Sequence, residues 1–189
     1  MSYTPRRNSA TRLACWLAFA CALGGPIALA EVAEFPDPLE PPITEAALPL
    51  ADRIVVNKSE RRLYLMRQGE ILRAYRIALG LDPVGHKQRE GDSRTPEGEY
   101  RLVRRNPLSD YFLSIQVSYP NDQDVARARR SGVSPGGAIM IHGLPNVPRK
   151  PLDYYARNDW TDGCIAVTNT EMVEIWLMTP PDTPIQILP

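Results

Sequence analysis

The sequence predicts a mainly β domain with a few attached helices. Short β-branched or alternating apolar runs recur between residues 53 and 188, and turn-forming residues separate them. Only two stretches, 122–130 and 170–178, have a helical pattern. The strands do not alternate regularly with helices, which disfavours a Rossmann-like fold.

The first thirty residues predict a secretory signal peptide. Three arginines and no acidic residue precede an apolar or small stretch at 13–29, and Ala28 and Ala30 supply the small residues that a signal peptidase reads. The stretch has 17 residues and a Gly-Gly-Pro break, which disfavours a membrane anchor. We expect cleavage after Ala30, no transmembrane anchor in the mature protein, and export to the periplasm or cell envelope.

Residues 31–51 predict a tether, and the folded domain is expected over 52–189. Residues 31–50 contain five Pro and five acidic residues but no base and no Gly, a composition that cannot form a core. Signal cleavage removes three arginines and no acid from a chain with 22 basic and 22 acidic residues, leaving a net charge near −3. That charge does not favour nucleic acid as a partner.

Within the domain, the strand and turn patterns set the order of elements. Gln68 and Gly69 lie between two strand runs and predict a hairpin. Residues 80–98, with four Gly and two Pro, predict a long loop, and such loops in compact domains tend to carry function. Thr168 and Glu171 have the spacing of a capping box before the second helix. The predicted strands are 53–56, 63–66, 71–79, 99–104, 112–118, 138–142, 164–167 and 184–188.

Cysteine usage identifies a candidate nucleophile. Cys15 and Cys21 lie in the predicted signal, so the mature chain keeps Cys164 alone. Exported proteins normally pair their cysteines, and a lone one is either an inert buried thiol or a reactive one. Cys164 follows a polar turn containing Gly163 and begins an apolar run. Glycine leaves the approach to the sulfur open, and the amides of such a turn can face an oxyanion.

His142 is the candidate base. It ends the apolar run that begins at Ile139 and precedes Gly143. A Cys and a His 22 positions apart are usually unrelated, but Cys164 is the only mature thiol, the protein is predicted to be exported, and the chain has two His. If the two strands are neighbours, the imidazole can reach the thiol and lower its pKa.

These segments resemble the signature of the L,D-transpeptidase catalytic (YkuD) domain. That signature is His-Gly, a variable gap and Ser/Thr-x-Gly-Cys, and here it corresponds to His142-Gly143 and 161–164. The upstream stretch 94–98, Arg-Thr-Pro-Glu-Gly, resembles the Thr-Pro-x-Gly segment of the same enzymes. The resemblance covers residues 52–188.

The resemblance implies a β-sandwich-like L,D-transpeptidase catalytic domain that acts on peptidoglycan stem peptides by acyl transfer through a thioester. Cys164 would be the nucleophile and His142 the proton acceptor and then donor. The backbone carbonyl of Gly143 would orient His142, and the amides of Gly163 and Cys164 would form the oxyanion hole. The resemblance implies no metal and no organic cofactor.

One departure leaves the acceptor open. The family commonly has Arg two residues after the cysteine, where this chain has Ala166. The Cys-Ile-Ala version resembles a subgroup that includes a periplasmic enzyme releasing lipoprotein from peptidoglycan. The thioester could therefore pass to an amine, giving a crosslink or an attached protein, or to water, as in an L,D-carboxypeptidase or a lipoprotein-releasing amidase.

The long loop supplies three candidate substrate-binding residues, His86, Lys87 and Arg94. They could recognise a carboxylate or an amine of the stem, and His86 is also a rival base. The alternative is a charge cluster with Glu90 and Asp92 that stabilises the loop, and both interpretations stay open.

The sequence disfavours two further function classes. An inactive relative would bind peptidoglycan without cutting it, although the intact His142, Gly163 and Cys164 argue against this. A papain-like protease is disfavoured because the base precedes the cysteine in this chain, which reverses the papain order.

Overall fold

The computed structural model describes residues 48–189, which lie within the unit Glu45–Pro189. The predicted signal peptide, 1–30, and all but the end of the predicted tether, 31–51, lie outside the described residues. No helix in the described part of the chain is long and apolar enough to cross a membrane.

Eight strands and three helices occur within residues 48–189, which confirms the predicted mainly β class. The strands are β1 (Arg53–Asn57), β2 (Arg62–Arg67), β3 (Glu70–Arg76), β4 (Gly98–Ser109), β5 (Phe112–Val117), β6 (Met140–His142), β7 (Ile165–Ala166) and β8 (Pro184–Leu188). The helices are α1 (Asp122–Arg130), α2 (Leu152–Arg157) and α3 (Asn169–Met178).

The strands follow the order β3-β2-β1-β8-β4-β5-β6-β7. The β1–β8 and β6–β7 pairs are parallel and the others antiparallel. β4 joins the two halves, because Gly98–Arg101 pairs with β8 and the following residues pair with β5. Beyond β3, Ala78 exchanges two 2.9 Å backbone hydrogen bonds with Ala166, which links the two ends of the strand order.

Both halves contribute to one apolar core, as expected for a sandwich-like domain. The fully buried side chains from the first half include Ile54, Leu63 and Leu65, and those from the second include Ile115 and Ile141. Burying one such side chain contributes about 1.5–3 kcal/mol. The buried face of α3 packs on the same core through Met172, Ile175 and Met178.

The hairpin and the two predicted helices form where their local signals place them. Gln68 and Gly69 both have positive φ, +52° and +86°, as a tight two-residue turn between twisted strands requires. The Thr168–Glu171 capping box is present, and α1 has a second box between Asn121 and Asp124. Helix α2 was not predicted, since its six residues follow Pro151 with no side-chain cap.

Several predicted strand bounds were wrong. The strand predicted at 71–79 ends at Arg76, because Ile77 N–H turns to the carbonyl of Arg61 and Ala78 pairs with β7. Tyr75, Ile77 and Leu79 are nevertheless buried, as their alternation predicts. The strand predicted at 99–104 continues to Ser109, the one predicted at 138–142 begins at Met140, and the one predicted at 164–167 shortens to two residues.

The loop predicted between β3 and β4 is present, and two buried lysines hold it. Lys58, 2% exposed, donates from Nζ to Gly85 O at 2.6 Å, Thr95 O at 3.1 Å and Glu97 Oε1 at 2.7 Å. Lys87, 4% exposed, donates to Asp92 Oδ1 at 2.7 Å. Because a buried ammonium is costly without acceptors, these contacts fix the course of the loop.

Candidate active site

A three-residue turn places Cys164 immediately before β7. Gly163 has φ +124°, and a Cβ on it would lie 2.5 Å from Arg94 O, so only glycine fits. The buried Thr161 hydroxyl donates to Cys164 O at 2.7 Å and accepts from Gly163 N–H at 3.2 Å. The turn is therefore braced by the loop on one side and by Thr161 on the other.

The strands that carry Cys164 and His142 are neighbours, which confirms the condition set by the sequence argument. β6 and β7 are parallel, and His142 lies opposite Ala166. Ile141 and Ile165, one position away, face the core, so His142, Ala166 and Cys164 share the opposite face. Cys164 and His142 line one cavity of about 360 Å³.

A backbone carbonyl fixes the tautomer of His142. Its Nδ1 lies 2.7 Å from Gly143 O, and because a carbonyl only accepts, Nδ1 carries the proton and donates. This leaves Nε2 of the neutral ring free to accept a proton. A Cβ at Gly143 would lie 2.6 Å from Asn169 Oδ1, so the small residue is required for this close approach.

Aromatic rings cover His142. The Tyr111 and Trp160 ring centroids lie 4.6 Å and 5.5 Å from that of the imidazole, and both residues line the cavity. His142 is 4% exposed, and its burial lowers its pKa to about 4 despite the opposing effect of the hydrogen bond to Gly143. The imidazole is therefore neutral at neutral pH.

The thiol of Cys164 is also neutral in the free protein. Burial raises its pKa, the Asp162 carboxylate raises it further, and the Met140 N–H and the Lys87 ammonium act in the opposite direction. Sγ lies 3.6 Å from Ala138 O, a weak acceptor contact that suits the protonated form. The sequence predicts that His142 lowers the pKa of Cys164, but a neutral imidazole brings no positive charge to do so.

The two backbone amides predicted to form the oxyanion hole differ in whether they already have an acceptor. Gly163 N–H already donates to Thr161 Oγ1, whereas Cys164 N–H meets no acceptor within residues 48–189. Of the predicted pair, Cys164 N–H is thus the one available to a developing oxyanion, and its role stays a prediction.

The three predicted substrate-binding residues lie apart from the Cys164 cavity. His86 Nδ1 accepts from Glu97 N–H at 3.0 Å, its Nε2 lies 3.1 Å from Asp124 Oδ1, and burial lowers its pKa. Lys87 is occupied by Asp92, and none of the three predicted residues lines the cavity. This placement supports the loop-stabilising interpretation and favours His142 over His86 as base.

Arg94 contributes through its backbone instead. Its guanidinium pairs with Asp82 at 2.9 Å, and its N–H donates to Asp92 Oδ1 at 3.1 Å. Asp92 also accepts from Lys87 and from two further backbone amides, and these hydrogen bonds hold its pKa at about 2 although burial acts to raise it. The charge cluster thereby holds the carbonyl of Arg94 against Gly163.

The sequence did not indicate the residues that cover and support the candidate pair, Cys164 and His142. Tyr111 and Trp160 cover His142, and Ser114 lies opposite it on β5 and lines the cavity. Tyr111 lies in the β4–β5 turn, and nothing local links it to His142. In the described part of the chain, no group of three His, Cys, Asp or Glu side chains could hold a metal ion.

The model of the L,D-transpeptidase catalytic domain (YkuD) matches residues 51–187. The chain belongs to this family. It is 33% identical over 129 residues to the Escherichia coli K12 protein named "Putative L,D-transpeptidase YafK", a match that covers 65% of this chain and 45% of that protein.

Solved structures of the helical cell shape determining protein Pgp2 from Campylobacter jejuni are also similar. The K307A mutant gives a TM-score of 0.54 at 30% identity, and the other Pgp2 structure gives 0.53 at 29%. Each match covers 71% of this chain and 46% of Pgp2. This L,D-transpeptidase family member thus spans less than half the length of these relatives.

The contact between the Cys164 turn and the loop predicts a difference between two glycines. Gly163 and Gly91 both have positive φ, but only Gly163 has a carbonyl where a Cβ would go. We expect Gly91→Ala to cost about 1 kcal/mol, from backbone strain alone, and Gly163→Ala to cost several kcal/mol. Urea unfolding measures both. Equal losses would show that the Arg94 carbonyl does not restrict the turn.

The low pKa of His142 predicts acid sensitivity. Below pH 6.5 the unfolded chain protonates this residue, whereas the folded protein keeps it neutral until about pH 4. Its contribution to stability therefore falls as pH falls through this window, by up to about 3 kcal/mol.

Urea titrations between pH 7 and 4 on the parent and on His142→Gln measure this contribution. The variant should flatten the pH dependence, and His86→Gln should flatten it less. An unchanged slope in His142→Gln would show that the folded protein protonates His142 throughout.

Proposed function

We propose that this chain is a peptidoglycan L,D-transpeptidase that uses Cys164 as nucleophile and His142 as base. Family membership implies an enzyme of peptidoglycan metabolism. The observation that carries the finer assignment is the shared cavity, which Cys164 lines together with a neutral His142 whose Nε2 is free. A nucleophile and an oriented base on neighbouring rigid strands are the elements that covalent catalysis requires.

In the first half-reaction the sulfur attacks an amide carbonyl carbon of the stem, on the L-centre of its diamino acid. The Sγ proton passes to Nε2 of His142, and Cys164 N–H stabilises the oxyanion. The C–N bond then breaks, the terminal D-Ala amine leaves with the proton from His142, and the stem remains as a thioester on Cys164.

In the second half-reaction an amine attacks the thioester carbonyl carbon. His142 Nε2 removes the proton of the amine, the C–S bond breaks, and the thiolate of Cys164 takes up that proton. The product is a new amide, which is a crosslink or an attached protein, and the free thiol is restored.

The neutral state of both groups suits this sequence. A neutral imidazole accepts the thiol proton as the sulfur attacks, so no separated charges have to persist in a buried site before substrate binds. The Gly143 carbonyl also stabilises the imidazolium once it forms, because Nδ1–H continues to donate to it.

Hydrolysis at the same site is the second candidate. Ala166 is 2% exposed and lies between Ala78 and His142, and it lines a separate cavity of about 290 Å³. The position occupied by arginine in the common pattern therefore brings no cation to the Cys164 cavity. Water as acceptor would make the chain an L,D-carboxypeptidase or an amidase that releases a peptidoglycan-linked lipoprotein.

Substitution of the pair tests the proposal. Cys164→Ala and Cys164→Ser should fold and lose all turnover of tetrapeptide muropeptides, because no thioester can form. His142→Gln should lose about 10²–10⁴-fold, and His86→Gln, outside the cavity, should lose little. Mass spectrometry detects the thioester, and product analysis separates crosslinked dimers from hydrolysed stems. Turnover by a folded Cys164→Ala protein would refute the mechanism.

We further propose that the chain is exported and acts on the wall from the periplasm, as its substrate class requires. The support is the Ala-Leu-Ala site followed by an acidic, Pro-rich stretch. N-terminal sequencing of the protein from the envelope fraction should give a start near Glu31. An intact Met1 or a lipid on Cys21 would contradict this processing.

A further inference from the structure

The Cys164 cavity carries two carboxylates and no basic side chain at its surface. Asp110, in the β4–β5 turn, and Asp162, in the Cys164 turn, are exposed and line the cavity. No lysine or arginine is among the lining residues. Neither carboxylate makes a hydrogen bond or an ion pair to any residue within 48–189, so neither is paired within the scaffold.

The aspartates of the neighbouring loop are different. Asp82 pairs with Arg94 at 2.9 Å and Asp92 with Lys87 at 2.7 Å. The two cations of the loop, Lys87 and Arg94, are therefore already used within the scaffold, and the Cys164 cavity itself presents negative charge. Arg149 lines an adjacent cavity that shares Asp110, but it does not line the Cys164 cavity. A carboxylate of a ligand placed there would be repelled, and a cation would be attracted.

A second observation shows that the cavity is built for a polar ligand. His142 is 4% exposed and lines the cavity, its Nδ1 is occupied by Gly143 O, and its Nε2 has no partner in the described residues. Nε2 of the neutral ring is therefore an acceptor that a donor group of a ligand in the cavity can reach.

The position of Asp162 is unfavourable for the nucleophile alone. The charged groups that act on Cys164 are Asp162 from its own turn and Lys87 from the loop, and the charge of Lys87 is matched by Asp92. Asp110 is the other charge on the cavity wall, and His142 is neutral. A carboxylate beside a thiol disfavours the thiolate, but a cation bound to that carboxylate would cancel the effect.

We propose that Asp110 and Asp162 bind a primary ammonium group of the peptide whose carbonyl Cys164 attacks, and so select stems in which that amine is free. The proposal rests on the proposed function and names the substrate feature that the site selects. The bound ammonium neutralises Asp162 at the moment when the sulfur must carry negative charge, so recognition and activation are coupled.

Binding of two matched peptides tests the proposal. One stem tetrapeptide has the free side-chain amine of its diamino acid, and the other is acetylated at that amine. The full mature chain with Cys164→Ala prevents turnover, and calorimetry gives both dissociation constants. We expect the free amine to bind about three- to tenfold more tightly, because exposed ion pairs each contribute little. The preference should weaken in high salt.

Matched variants assign the preference to the two carboxylates. In the same background, Asp110→Asn and Asp162→Asn should each reduce the ratio, and together they should bring it to about one. Asp182→Asn, an exposed aspartate paired with Arg101, should leave it unchanged. In the chain that keeps Cys164, Asp162→Asn should also speed alkylation of the thiol near neutral pH, because it removes a charge that opposes the thiolate.

The outcomes separate this proposal from the proposed function. Equal binding of the two peptides, or a preference that survives in the double variant, overturns the role of Asp110 and Asp162. An alkylation rate that is unchanged in Asp162→Asn overturns the coupling to the thiol. If the parent protein prefers the free amine but forms neither thioester nor product, the proposed function fails and the ammonium site stands.

Discussion

The structure of the site depends on the close approach of the β3–β4 loop to the turn that carries Cys164. The carbonyl of Arg94 lies where a side chain on Gly163 would begin, and the carbonyl of Ser93 does the same for Gly80. The loop can come this close only because both positions lack a Cβ and because Lys58 and Lys87 supply its interior with cations. The position of Cys164 is therefore set by backbone contacts and by the ion pairs that hold the loop.

Local signals in the sequence were sufficient for elements that depend on local physics. The capping residue Thr168, the Gln68–Gly69 turn and the β-branched run that became β8 each act over a few residues, and each was predicted. Helix α2 was missed because it has no cap and only six residues. The length of β4 was underestimated because its second half pairs with β5 instead of β8. Only the long-range pairing shows this.

The candidate site also has a part that the sequence predicts and a part that only the structure shows. The family resemblance located Cys164 and His142 without any structure, and strand pairing explains how residues 22 positions apart share a face. The sequence could not show what the basic side chains of the loop bind, because it does not tell whether a lysine pairs with a ligand or with an aspartate of the same chain. Burial decides the matter for Lys87, which is 4% exposed and bound to Asp92.

The distribution of charged side chains around the site connects the fold to the proposed chemistry. Lys58, Lys87 and Arg94 form ion pairs that organise the loop. No basic side chain lines the Cys164 cavity. Burial keeps both Cys164 and His142 neutral. A site of this kind does not begin with a thiolate–imidazolium pair. In the proposed reaction the attack itself creates the charges, in a cavity where the rings of Tyr111 and Trp160 lie against the imidazole. In the proposed reaction, the ammonium group bound by the exposed Asp110 and Asp162 offsets a carboxylate that opposes the thiolate, so the substrate supplies charge compensation that the protein lacks.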